Sequence, residues 1–101
     1  MPWFIKTEVF TDSTLSLSST IRKKYINKHI EWVKRIQKEG IKVFSGYLVN
    51  KHGSPGGGGL LIINAESYEE AEKMITTDPM VSLGLVKGKL QEWILISGDK
   101  L

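Results

Sequence analysis

The chain has 101 residues, of which 41% are apolar and 25% charged, and its formal net charge is +3. This length supports one hydrophobic core and is short for two, so residues 1–101 are expected to form a single domain of ordinary globular composition. Cysteine is absent, which excludes disulfides, zinc–thiolate sites and thiol nucleophiles.

Residues 3–10, WFIKTEVF, alternate and are rich in aromatic and β-branched types, the pattern of a strand. The polar run TDSTLSLSS at 11–19 reads as a loop. Ser18 or Ser19 then offers an N-cap for a long basic helix that Gly40 stops. Its apolar stripe runs Ile21, Tyr25, His29, Trp32/Val33, Ile36, in steps that share one face, so a titratable imidazole lies against the core. IKVFSGYLVN at 41–50 is a second strand, and KHGSPGGGG at 51–59 is expected to be a connection without regular structure. LLIINA at 60–65 is apolar on both sides, as in a strand buried on both faces. In SYEE, Ser67 followed by Glu70 is a capping-box signature, and the helix after it turns Tyr68, Ala71, Met74 and Ile75 inward. Asp78-Pro79 stops that helix and can cap a short new turn. The last strand is expected from Val86 to Ser97.

The order β-α-β-β-α-β gives an α+β, ferredoxin-like arrangement, with a four-stranded antiparallel sheet and both helices on one face. The other face is left bare, and Phe4, Phe10, Phe44 and Leu48 are expected to need cover. A second copy packed sheet to sheet supplies it, so a homodimer through the open face is expected.

Charge is unevenly spread. Over 21–39 seven basic residues face two acidic ones, and over 66–78 five acidic residues face Lys73 alone. The simple reading is two neighbouring helices with complementary polar faces; the sharper one is an anion-binding helix. The longest aliphatic run, LLII, is far short of the ~20 residues that span a bilayer. The segment MPWFIKTEVF has no basic region followed by an apolar core, so the expected location is the cytoplasm, away from membranes. His52 beside Gly53 reads as a solvated turn residue without a metal-ligand partner. The GGGG run lacks the Lys-Ser/Thr ending of a phosphate loop and leads into a strand; it is either a flexible hairpin or a backbone that closes over a cleft or a partner. No haem, flavin or nicotinamide signature is present, so no cofactor and no metal is expected.

The histidine on the first helix, the strand ending SGYLV, the Gly-rich hairpin, GLLIINAESYEEAEKM and then Asp78-Pro79-Met80-Val81 resemble the YCII-related proteins. The likeness runs from Phe4 to about Ile96. It implies a dimeric α/β barrel of ferredoxin-like type and an active site built on a His–Asp pair, carried here by His29 and Asp78. More distantly the chain is similar to dehydrochlorinase and muconolactone-isomerase-type enzymes that share the dimeric barrel. The resemblance brings no substrate with it.

On their own terms, His29 and Asp78 can meet if the end of the second helix lies near the middle of the first. The carboxylate would then fix the imidazole tautomer and leave the other ring nitrogen free to take a substrate proton. Taken singly, each residue has a plainer role, His29 as a satisfied core histidine and Asp78 as an N-cap. Ser45 and Tyr47 are candidates to hold a ligand. Lys6 is a further ligand-binding candidate; with Glu8 it shares a side of the first strand with Phe4 and Phe10, either lining the dimer-facing side or lying near its wet rim. Trp32 and Trp93 read as core or interface. The expected function is a cofactor-independent lyase or isomerase acting on a small molecule, and the alternative is a non-catalytic ligand-binding or interaction module. RNA binding is disfavoured, because GGGGLLIINA on the third strand carries no aromatic to stack bases.

Overall fold

A computed structural model describes residues 1–99. The elements are β1 (Trp3–Phe10), α1 (Asp12–Leu15), α2 (Ser19–Lys38), β2 (Val43–Val49), β3 (Pro55–Asn64), α3 (Tyr68–Ile75), α4 (Pro79–Ser82) and β4 (Val86–Trp93). The strands form one antiparallel sheet in the order β2-β3-β1-β4, which is the ferredoxin-like arrangement.

Local chemistry sets the helix ends. The Ile21 N–H donates to Ser18 Oγ at 3.2 Å, so Ser18 is the N-cap of α2. At the other end Gly40 takes a positive φ of 90°, the Gly40 N–H donates to Gln37 O at 3.0 Å, and the Ile41 N–H reaches Ile36 O at 3.2 Å. This pair of bonds is a Schellman closure, for which glycine is the natural residue. Ser67 caps α3 by accepting from Glu70 N–H at 3.1 Å. The Thr76 and Thr77 hydroxyls donate back to Lys73 O and Met74 O, at 2.8 and 2.6 Å, as that helix ends.

The core lies between helices and sheet, where Phe4, Trp32, Ile36, Val43, Leu61, Ile63, Ala71 and Ile75 are buried together. Alternation along each strand sends Trp3, Ile5, Phe44, Leu48, Ile62 and Trp93 to the opposite face. Among the described residues, this face carries exposed apolar surface, with Phe44 53% accessible and tilted against Trp3 at 6.1 Å between ring centroids.

Several expectations need correction. Asp12–Leu15, expected as loop, is a helical turn: Thr11 accepts from Thr14 N–H, and the Thr14 hydroxyl donates to Leu85 O at 2.8 Å. The stretch 51–59 is not wholly a connection. The turn occupies Asn50–Ser54, where Asn50 Oδ1 accepts from His52 and Ser54 N–H, and β3 begins at Pro55. β2 starts at Val43 rather than Ile41, and β4 stops at Trp93 rather than Ser97. Phe4 needs no second copy to cover it, since it is fully buried in its own chain. Lys6 and Glu8 do share a side with Phe4, but that side faces the helices and not a dimer partner. Among the described residues no helix is long and apolar enough to cross a membrane.

Candidate active site

His29 projects from the middle of α2 toward the sheet, and Asp78 stands between α3 and α4. His29 Nδ1 and Asp78 Oδ2 are 2.8 Å apart, so the two residues singled out in the sequence are in direct contact. Asp78 is completely buried, and its other oxygen, Oδ1, accepts from Met80 N–H at 3.0 Å as the N-cap of α4, with Pro79 at the first helical position. One carboxylate therefore makes both contacts, with an oxygen for each.

Met80 N–H and the Lys6 ammonium can only donate to Asp78, and an ionised carboxylate has no hydrogen of its own to give, so it accepts from the ring as well. The hydrogen it accepts from the ring sits on Nδ1, and Nε2 is left with the lone pair. That nitrogen is not free, contrary to expectation. Ser45 Oγ, on the exposed outer strand β2, lies 2.7 Å from it, and by the same logic the Ser45 hydroxyl donates to Nε2. The result is a line of hydrogen bonds from a buried carboxylate, through an imidazole whose side chain is 13% exposed, to an accessible hydroxyl.

Lys6 lies behind this line. It is 4% exposed, with Nζ 3.0 Å from Glu8 Oε2 and 3.6 Å from Asp78 Oδ2. The Lys6–Glu8 separation is that of a hydrogen bond but the angles are not, so the contact is a bare ion pair. The ammonium faces two carboxylates inside the chain, which fits charge balance better than ligand contact. Tyr47 follows Ser45 on the same face of β2, is 72% exposed, and forms no side-chain hydrogen bond among the described residues.

Trp32 is the support that the sequence did not flag. Its indole packs beside the His29 ring at 5.7 Å between centroids, and its Nε1–H donates to Thr77 Oγ1 at 2.8 Å. Thr77 precedes Asp78, so one buried indole holds both the imidazole and the chain that carries its carboxylate. The spacing of Trp32 three residues after His29 on a helix is the only sequence signal for this, and it reads equally well as core. No three or more His, Asp or Glu gather at metal-binding distance among the described residues.

The sequence profile of the YCII-related domain matches residues 7–93. The chain belongs to the YCII-related domain family. No curated protein matches it significantly. Among solved structures it is similar to 5-chloro-2-hydroxyhydroquinone dehydrochlorinase from Burkholderia phenoliruptrix AC1100, in complex with 2,5-dihydroxybenzoquinone. That likeness has a TM-score of 0.68 at 18% identity and covers 91% of this chain and 93% of the other. A de novo designed protein, Ferredog-Diesel, follows at 0.58 and 13% identity, covering 90% and 84%. The Arabidopsis thaliana protein At3g17210 superposes at 0.55 and 18% identity, covering 99% and 100%. Identities this low carry the ferredoxin-like fold and not the chemistry, as the designed neighbour makes plain.

Proposed function

We propose that this YCII-related protein is a lyase- or isomerase-type enzyme that moves a proton on a small molecule, with His29 as general base and Asp78 as the group that orients it. The observation that carries this reading is the line from buried Asp78 through His29 to exposed Ser45, which leads the ring's lone pair to the surface. Substrate replaces or pushes aside the Ser45 hydroxyl at Nε2. His29 takes an O–H or C–H proton there, and Asp78 stabilises the imidazolium that forms. The electron pair left on the substrate forms a new double bond while a leaving group departs with its own bonding pair, or the proton returns at another atom. Trp32 and Thr77 hold the two partners in register for this step, and neither an external cofactor nor a covalent intermediate is needed.

A hydroxylated six-membered ring, one that bears a leaving group in the lyase case, is the first substrate class to try, by analogy with the dehydrochlorinase neighbour. The working unit is a homodimer joined through the apolar face around Phe44 and Ile62, on the side of the sheet away from His29 and Ser45. Halogenated and plain hydroxyquinols are to be screened for halide release and ring absorbance changes, with His29→Ala as the control. The variant should keep its circular-dichroism spectrum and lose at least about 100-fold in kcat/KM. Turnover at the wild-type rate in that variant contradicts the assignment. A ligand that binds tightly and is recovered unchanged points to the non-catalytic module.

A further inference from the structure

Ser45 has more of the parts of a nucleophile than a hydrogen bond to histidine alone would require. Its Oγ is 2.7 Å from His29 Nε2, and the far nitrogen of the ring is held 2.8 Å from Asp78 Oδ2. Hydroxyl, imidazole and carboxylate in that order, each at hydrogen-bonding distance, form the arrangement that activates an alcohol for attack on a carbonyl. The tautomer is the right one, with the proton on Nδ1 and the lone pair facing the serine.

The sheet ladder supplies an independent observation. Asn64 N–H donates to Lys42 O at 3.0 Å, one step beyond the partnered residues Val43 and Ile63. Bonded and non-bonded pairs alternate along an antiparallel ladder. Phe44 and Gly46 therefore hold bonded positions, and Ser45, opposite Leu61, holds a non-bonded one. Its own N–H points off the free edge of β2, the outermost strand of the sheet. A free backbone N–H on the residue that carries the nucleophile is a donor for an oxyanion formed beside it. Ser45 is also exposed, so a carbonyl carbon can reach it from solvent.

We propose that Ser45 is acylated by small activated esters, giving this site an acyl-transfer activity in addition to proton transfer. The Ser45 oxygen bonds to the ester carbonyl carbon, its proton passes to His29 Nε2, and the carbonyl π pair moves to oxygen beside the Ser45 N–H. The tetrahedral adduct collapses as the bond to the leaving alcohol breaks with its electron pair, and the alcohol takes the proton from Nε2. Acyl-Ser45 remains, and water removes the acyl group by the same route, so ester and water become acid and alcohol. The inference shares the Asp78–His29 geometry with the reading above but does not depend on lyase chemistry.

The test is p-nitrophenyl acetate on the full chain, followed by p-nitrophenolate absorbance, intact mass and peptide mapping. The expected result is a burst of about one equivalent with a single acetyl group on Ser45, a burst absent in Ser45→Ala and slowed about 100-fold or more in His29→Ala. Ser45→Cys should retain the label as a thioester, which covers the case in which the alanine variant folds poorly. Acetyl found on lysines or on His29 but not on Ser45 overturns the proposal, as does labelling of Ser45 at the same rate in His29→Ala. Acetylated Ser45 without proton-transfer turnover supports this inference and tells against the lyase; turnover with unlabelled Ser45 does the reverse.

Discussion

At the scale of single residues, Asp78 decides the most. One oxygen caps α4 through Met80 N–H and the other accepts from His29 while facing Lys6, with no access to solvent. Asp78→Ala removes the cap and leaves Lys6 buried with only Glu8 for a counter-charge, so unfolding in urea should show a loss of about 3–5 kcal/mol. Asp78→Asn keeps an oxygen for Met80 N–H and should cost clearly less. Equal losses in the two variants would mean that the cap is irrelevant and only the lost charge matters. Lys6 shows where sequence reading stops at this scale. Alternation correctly puts it on the side of Phe4, but both faces of the sheet carry apolar residues, so the pattern alone does not say which face the helices cover. Ser45 is similar: its type and place on a strand were readable, but its contact with Nε2 depends on how α2 lies across the sheet.

At the scale of elements, the strap from Trp32 to Thr77 joins α2 to the end of α3. Trp32→Phe keeps the ring in the core but forfeits the Nε1 bond to Thr77. It should cost about 2 kcal/mol in stability and lower kcat while KM stays near its wild-type value, because Trp32 acts through His29 and Asp78. A variant with wild-type kcat would remove the strap from the account. The glycines of β3 separate two effects in the same strand. Gly56 and Gly58 both have positive φ, but a Cβ on Gly56 meets nothing, whereas one on Gly58 meets the Glu8 carbonyl oxygen of β1. Gly58→Ala should therefore lower the melting temperature by several degrees more than Gly56→Ala, which pays only the backbone strain of about 1 kcal/mol. Helix ends were legible because Ser18, Gly40, Ser67 and Asp78-Pro79 act through bonds within a few residues. The glycine run misled because glycine serves there in a strand, where β1 approaches closely. α1 was invisible because Thr14 ties it to Leu85 across the chain.

At the scale of the whole molecule, the sheet has a helix-covered face and an apolar open one. Trp3 and Phe44 lie tilted together on the open face, and Leu48 is exposed farther along β2. The chain should run as a dimer in light scattering at micromolar concentration, and Phe44→Glu should run as a monomer. A wild-type monomer at that concentration would leave this face to some other occupant. The central claim is that Asp78 sets the state of the His29 ring, and a long-range proton–nitrogen NMR spectrum of that ring tests it most directly. When the ring is neutral, the wild type should show one tautomer with the proton on Nδ1. Asp78→Asn should show a mixture, or the opposite tautomer. Identical ring spectra in the two proteins would contradict the account, because a carboxylate that does not choose the tautomer does not orient the base.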